Sequence, residues 1–500
     1  MKPSRRAIVV EHLRPIWLGL LLGLAAFQFN ACTVGPKYHR PAMQAPQAYK
    51  EVGDWKVAQP NEQKFGGRWW EIFQDPRLNS LEQQVEVSNQ NLKAALTQYQ
   101  QARAVLRYYR ADYYPTITGG ASATREKFSA TRTTTTIANG KTISDFLLPL
   151  DLSYQVDVWG RVRKTVESNR EQAQASAADL AVVNLSMHAD LAMDYFAARS
   201  LDAEEQLLKN TVVQYEQALQ LNEERYRGGI ASEVEVEQAR TILETTRAQA
   251  IDVGVARAQY EHAVAVLMGK PPAEFALPPL PLTTPPPSIP VGVPSELLER
   301  RPDIAAQERL VASANAQIGL AKTAYYPLVS LAAAGGFESG TITKLIQGPS
   351  VFWSAGPSAV LTLFDAGRRR AVTDEARAGY DYAVASYRET VLTGFQQVED
   401  SLAALRILQQ EADVQDVAVK AAEKSLDLSN IRYTGGVTSY LEVITAQNAA
   451  LANEVAAVNI LGRRMASAVQ LIQALGGGWD QSTLAARPEC CGKLAMGNSN

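Results

Sequence analysis

The sequence predicts a mainly α-helical chain with a small β part, built from one helix and strand-pair module written twice. Three observations carry this. Landmarks recur in the same order at a nearly constant offset. Tyr113-Tyr114-Pro115 returns 212 residues later as Tyr325-Tyr326-Pro327, and Trp159-Gly160-Arg161 returns 207 later as Ala366-Gly367-Arg368. RYRGGIASEVEV (225–236) returns 207 later as RYTGGVTSYLEV (432–443), with seven of twelve positions identical. Very long stretches free of proline read as helix, and the short stretches between them change to period two. A period this long marks duplication of a large module, not a solenoid.

The composition narrows the function classes. Lys plus Arg is 49 and Asp plus Glu 52, a net charge of -3. Nucleic-acid binders usually need a basic surface, so none is expected as a partner. Three cysteines (Cys32, Cys490, Cys491) exclude a disulfide scaffold. The four histidines, His12, His39, His188 and His262, stand at no metal-ligand spacing, and HExxH, CxxC and GxSxG are absent. The reading is therefore no enzyme, no cofactor and no metal site. Cys490 and Cys491 sit in a polar tail.

At the N-terminus, Lys2, Arg5, Arg6 and Arg14 precede the apolar run Ile16–Phe29. Fourteen residues fall short of the roughly 20 a membrane span needs. Basic residues, a short apolar run and a small residue form a signal peptide. Ala31-Cys32 reads as a lipobox, with Cys32 as the lipidation site. Phe29 and Asn30 depart from the usual pattern, and an ordinary signal with an incidental cysteine is the other reading. The expected division is 1–31 lipoprotein signal peptide, 32–77 N-terminal segment, 78–270 first repeat, 271–302 Pro-rich strap, 303–476 second repeat and 477–500 C-terminal tail.

In the first repeat, Leu78–Asp112 is expected as one helix, closed by Pro115. Leu150, Leu152, Tyr154, Val156 and Val158 alternate with Asp151, Ser153, Gln155 and Asp157, the pattern of a two-faced strand. Thr116–Thr124 is its weaker partner, and 125–145 is a Thr-rich loop. Arg161–Tyr226 contains no proline and spans about 100 Å if helical. After Gly228-Gly229, nine positions from Ala239 to Leu267 follow in steps of 3 and 4, and all but Thr246 and Gln249 are apolar, a coiled-coil seam. The second repeat follows the same plan: helix 303–324, strands near 328–337 and 355–364, helix 367–433, turn at Gly435-Gly436, helix 439–475. Between the repeats, 271–302 holds eleven of the 24 prolines. Interleaved Phe275, Leu277, Leu280 and Leu282 make it a packed strap.

Two strand pairs give four strands per chain. The smallest transmembrane barrels have about eight, and open edges are not tolerated in lipid. If these strands span a membrane, several chains share one barrel.

Taken together, the sequence resembles the TolC-type outer-membrane efflux proteins, in the NodT-like lipoprotein branch that serves RND-type pumps. The resemblance rests on CTVGPKYHRP (32–41), RWWEIFQDPRLNSL (68–81), YYP twice, VDVWGR (156–161) and LFDAGR (364–369). PSELLERRPDI (294–304) and LGGGWDQ (475–481) complete it. It implies a homotrimer, with a 12-stranded barrel in the outer membrane and a 12-helix α-barrel in the periplasm. Residues 32–77 would wrap the equatorial region. The function implied is a passive exit duct for drugs and toxic organics. Its partners would be a periplasmic adaptor, an inner-membrane RND-type pump and outer-membrane lipid. A metal-efflux or type I secretion duct shares every feature. A lipid-anchored coiled-coil scaffold without a pore leaves the strand pairs unexplained.

A duct needs a gate and a docking surface. The resemblance places both at the turns between the long helices. Arg225, Tyr226, Gly228, Gly229, Ser232, Arg432, Gly435, Gly436 and Ser439 are the adaptor-contact candidates. The double glycines permit positive φ, and Ser232 and Ser439 suit helix N-caps. Glu442, Tyr433, Leu441 and Thr445 are the gate candidates. Glu235 matches Glu442 in the first repeat. An acidic family position falls on Thr445 here, and an Arg used in some members falls on Thr438. Three Glu442 carboxylates on one axis would attract cations. The alternative for Glu442 is a carboxylate stabilising a helix start. Aromatics near the strands, among them Phe146, Trp159, Trp353 and Phe364, suit an interfacial girdle.

Overall fold

The structure, a computed structural model, describes residues 33–43, 46–52, 67–131, 140–291, 294 and 297–482. Cys32, Cys490 and Cys491 lie outside these. The chain separates into two units. The first draws on residues up to 41, 100–174 and 308–385, and the second on 42–99, 175–307 and the residues from 386 onward.

In chain order the elements are α1 (Pro76–Ser88), α2 (Gln90–Arg110), β1 (Thr116–Gly119), β2 (Ser122–Lys127), β3 (Thr142–Gln155), α3 (Arg161–Arg227) and α4 (Glu233–Leu267). There follow α5 (Leu297–Arg300), α6 (Pro302–Thr323), β4 (Leu328–Ser339), β5 (Val351–Val360), α7 (Arg368–Thr434) and α8 (Tyr440–Ala474). The paired helices α3 and α7 have 67 residues each, and α4 and α8 have 35 each. No helix among the described residues is long and apolar enough to cross a membrane.

Three boundaries differ from the sequence reading. The expected helix 78–112 is two helices, broken at Asn89. Its side-chain oxygen accepts from Leu92 N at 3.0 Å, and its amide donates to Leu267 O at 2.9 Å. Asparagine competes with the helix ladder for backbone partners, and here the distant carbonyl decides the contest. The partner of β3 is also two strands, interrupted at Gly120-Ala121, and β3 begins eight residues earlier than read. The last strand lies at 351–360, not 355–364. Pro357 lies within it, opposite Leu331 of β4.

The first unit carries the sheet. β1 and β2 pair with one side of β3, β4 with the other, and β5 with β4, all antiparallel. That makes four strand positions. The register sets Thr116 against Ser153, Gln155 against Ser330 and Leu328 against Val360, so every strand end joined to a helix lies at one rim. Leu150, Trp353 and Val360 are exposed on this sheet.

At the same rim an aspartate holds the start of each long helix. Asp157 accepts from Val162 N and Arg163 N, both at 3.0 Å, and pairs with Arg163. Asp365 accepts from Gly367 N at 3.2 Å and Arg369 N at 3.1 Å, and pairs with Arg369. Between these copies Trp159 stacks on Tyr326, centroids 4.8 Å apart, and donates to Pro327 O at 2.9 Å. The WGR of one repeat is thereby fastened to the YYP of the other.

The second unit carries the main core. Trp70, Leu78, Leu81 and Val85 pack with Tyr195, Phe196, Leu402, Leu471 and Ile472. The strap joins it through Leu277, Ile289 and Val291, all buried. Its carbonyls and amides are taken up by a buried ion cluster. Asp202 accepts from Arg199 at 3.0 Å, Arg257 at 3.1 Å and Leu280 N at 2.8 Å, while Arg199 donates to Pro278 O at 2.6 Å. A proline-rich segment forms no ladder of its own, so side chains supply the bonds its backbone lacks.

Candidate functional site

The site is built at the two turns that reverse the long helices, both in the second unit. Their backbones match bond for bond. Gly228 N donates to Glu224 O and Gly435 N to Ile431 O, both at 3.0 Å. Ile230 N reaches Arg225 O at 2.8 Å, and Val437 N reaches Arg432 O at 2.9 Å. Only the second glycine of each pair is left-handed: Gly229 and Gly436 both have φ +72°. Gly228 and Gly435 have no such requirement. Ser232 and Ser439 occupy the N-cap position with extended backbone, yet neither hydroxyl makes a capping bond. Instead their carbonyls accept from Glu235 N at 3.1 Å and Glu442 N at 3.2 Å.

The side chains are not matched. Tyr433, only 5% exposed, inserts its ring against the first hairpin. Its hydroxyl donates to Asn222 Oδ1 and lies 3.3 Å from Glu235 Oε2. Arg225 lies over the ring at 4.6 Å, and Tyr440 packs beside it at 5.2 Å. Burial first, then the nearby Glu235, pushes the Tyr433 phenol up to about 12. It stays a neutral donor throughout the range in which proteins work. Its counterpart Tyr226 is exposed.

Glu442 pairs with Arg432 at 2.7 Å and accepts from the Thr438 hydroxyl. The carboxylate is therefore compensated within its own hairpin. Leu441 is exposed, and Thr445 is exposed with its hydroxyl bonded to Leu441 O at 2.9 Å. Below the tips, Leu441 and Ile444 line a groove of about 650 Å³ with Val234, Ile242, Glu233 and Glu237.

Of the sequence-derived candidates, the structure brings Tyr433 together with Arg225, and Glu442 with Arg432. Tyr226 makes none of these contacts. Asn222, fully buried at the centre of the link, was legible only as a polar residue in the apolar run Leu208, Val212, Tyr215, Leu219. Among the described residues no group of three or more His, Cys, Asp or Glu is arranged to hold a metal ion.

Comparison with known proteins places this architecture. The profile of the outer membrane efflux protein family matches residues 81–270 and 293–477. The chain is 31% identical to the outer membrane protein OprJ of Pseudomonas aeruginosa, over 92% of this chain and 95% of that protein. It is 32% identical to the toluene efflux pump outer membrane protein TtgC of Pseudomonas putida, over 93% of this chain and 96% of that one. Among solved structures, the outer-membrane channel OprN superposes with a TM-score of 0.84 at 29% identity, covering 90% of this chain and all of that one. The CmeC outer membrane channel of Campylobacter jejuni gives 0.85 at 26% identity, over 90% and 96%. Matched in both halves, and along nearly its whole length, the chain belongs to the outer membrane efflux protein family, a family of outer-membrane channels of TolC-like architecture.

Proposed function

We propose that three copies of this chain close one shared barrel and one helical tube, forming the passive outer-membrane exit duct of a tripartite pump. A periplasmic adaptor and an inner-membrane RND-type pump supply substrate and energy. The single observation that carries this reading is the sheet: four strand positions, both outer edges unpaired among the described residues, and large apolar side chains exposed on it. A lone open sheet is untenable in lipid. Three such sheets give the twelve strands that the resemblance implies.

A second feature supports assembly from copies. On α7, Ile407, Val414, Val417, Leu428 and Ile431 are exposed. Their spacing of 7, 3, 11 and 3 residues keeps to one heptad stripe, a seam left exposed among the described residues. Cys32 carries the lipid anchor, which adds to the barrel as a second membrane element. The cargo class is small drugs and organic solvents, supported by relatives named for toluene and antibiotic efflux.

The two turns form the periplasmic end. Tyr433 ties the second hairpin to the first, and releasing it lets the second hairpin move. The tip residues and the groove below them receive the adaptor. Purified protein in planar bilayers tests the core of this reading. Discrete ion conductance from a trimeric preparation is expected. A preparation that inserts but never conducts sinks the duct and returns the chain to a scaffold.

A further inference from the structure

Four connections cross the helix-side rim of the sheet, and they fall into two kinds. The central ones, β3 to α3 and α6 to β4, are fastened to each other through Trp159, Tyr326 and Pro327. The outer ones, α2 to β1 and β5 to α7, sit at opposite edges of the sheet and leave their large side chains open. Tyr108 and Tyr114 on one side are 72% and 74% exposed, and Leu363 and Phe364 on the other are both 86% exposed.

Cations accompany them. Arg107 and Arg368 are exposed, and neither guanidinium reaches an acceptor among the described residues. Arg370, with its side chain 86% exposed, only approaches Asp374 at 3.9 Å. Residues 103–114 carry three arginines against one aspartate. Residues 363–377 carry four arginines (368, 369, 370, 377) against three carboxylates (365, 374, 375). The two segments together hold an excess of three positive charges, seven minus four.

Closing a barrel from copies joins the β1 edge of one chain to the β5 edge of the next. Both outer connections lie at the same rim, so closure sets Arg107 beside Arg368 and Arg370 of the neighbouring copy. Apolar and aromatic groups flank this cluster where hydrocarbon gives way to headgroups. We propose that each seam binds the phosphate of a phospholipid headgroup, with these three arginines as its donors. Guanidinium matches phosphate geometry with paired donors, and the aromatic surface accommodates the acyl chains. The acidic alternatives are Asp112 on one side and Asp365, Asp374 and Glu375 on the other, four carboxylates against seven arginines. The lipid would then be part of the seam, cementing copies that each lack half of the site. This inference rests on the shared-barrel reading.

Native mass spectrometry of detergent-extracted protein tests both statements separately. The chain count tests the barrel, and retained lipid tests the seam. With phosphatidylglycerol added, trimers with one retained lipid per seam are expected. The triple variant Arg107→Gln, Arg368→Gln, Arg370→Gln should remain trimeric yet bind this lipid at least about tenfold more weakly, the loss expected for charge-assisted bonds. The corresponding triple Lys variant should retain part of the affinity, which separates lost charge from misfolding. Millimolar inorganic phosphate should not displace the lipid, because the acyl chains contribute. Displacement by phosphate, or equal lipid retention by wild type and the Gln variant, overturns the seam site while leaving the barrel intact. So does a Gln variant that dissociates without lipid and is mimicked by Asp112→Asn, because the arginines then bond protein across the seam. A monomeric wild type overturns the barrel reading and this inference with it.

Discussion

At the first tip Ile230 N reaches back to Arg225 O, and at the second Val437 N reaches back to Arg432 O. The glycines that permit these reversals share one φ value. From this common backbone the side chains part company. Arg432 and Glu442 bond to each other across their own turn. Arg225 and Glu235, their equivalents, both turn to the Tyr433 ring of the other hairpin. Duplication supplied two identical turns, and a few side chains made one of them the holder and the other the held. A buried tyrosine among Asn222, Glu235 and Arg225 is directional and all-or-none in a way that apolar packing is not. That suits a latch better than a permanent joint.

The strongest test breaks the latch at its centre. Tyr433→Ala removes a buried ring and leaves Asn222 Oδ1 without its donor. Losses of about 3–5 kcal/mol accompany aromatic truncation in a core, felt here as local opening. Hydrogen exchange should show the second hairpin losing protection, and single-channel conductance should rise. Tyr226→Ala, the same change at the exposed equivalent, should stay within about 0.5 kcal/mol. Similar effects from both would erase the asymmetry.

A pH series sharpens the contrast from outside the tips. Glu82 and His188 are buried against Trp70, with Nδ1 and Oε2 2.6 Å apart. Burial pushes Glu82 up from 4.5 to about 9 and His188 down from 6.5 to about 4. Between pH 6.5 and 9 the folded chain holds a proton on Glu82 that the unfolded chain has lost. Stability therefore falls as pH rises through that window, by up to about 1.4 kcal/mol per pH unit. Between 4.5 and 6.5 the extra proton on folded Glu82 is matched by one on unfolded His188, and the two contributions cancel. Thermal unfolding of Glu82→Gln should lose the decline above pH 6.5. Because Tyr433 stays protonated to about 12, latch opening should not follow this curve. Channel opening that tracks Glu82 would mean that the core, not the tip, sets the state.

Much of this molecule was legible because its repeats carry glycine, arginine and tyrosine at a fixed offset. The long helices follow from the absence of proline, and the double-glycine turns from their dipeptides. The break at Asn89 was not legible, since it depends on Leu267 O, 178 residues away. The strand shift to 351–360 was hidden by Gly356-Pro357, which interrupts the period-two pattern. The tip asymmetry was illegible for a deeper reason. Tyr226 and Tyr433 have nearly identical neighbours in sequence, and only the fold decides which ring is buried. The aspartates at the helix starts teach the same lesson. Asp157 pairs with an arginine six residues on and Asp365 with one four residues on, so the device persists while its spacing does not.

The shared backbone makes its own prediction. Gly229→Ala and Gly436→Ala should each cost about 1 kcal/mol, because alanine is strained at positive φ and no neighbour lies within 4 Å of either added Cβ. Equal losses in local stability are expected. A larger loss at Gly436 would mean that strain in the second turn is transmitted to the latch.

The smallest effect on stability, and the sharpest on function, belongs to Arg432 and Glu442. Both are half-exposed, and such pairs contribute about 1 kcal/mol or less. Either substitution alone should leave assembly unchanged. Their charges act differently if the second hairpin approaches the axis. Copies of a compensated pair present little net field, so the wild-type channel should select weakly at this point. Arg432→Gln leaves uncompensated carboxylates, which favour cations and bind multivalent ones. Glu442→Gln leaves uncompensated guanidinium groups and should shift selectivity the other way. At the first tip, Glu235 already faces the Tyr433 hydroxyl, and Glu235→Gln should leave ion selectivity unchanged. Reversal potentials in asymmetric salt measure all three. Opposite shifts for the first two, with none for the third, place the constriction at the second hairpin. Shifts of one sign for Arg432→Gln and Glu442→Gln, or none for either, move it away from this pair, toward the exposed Leu441 one residue before the carboxylate.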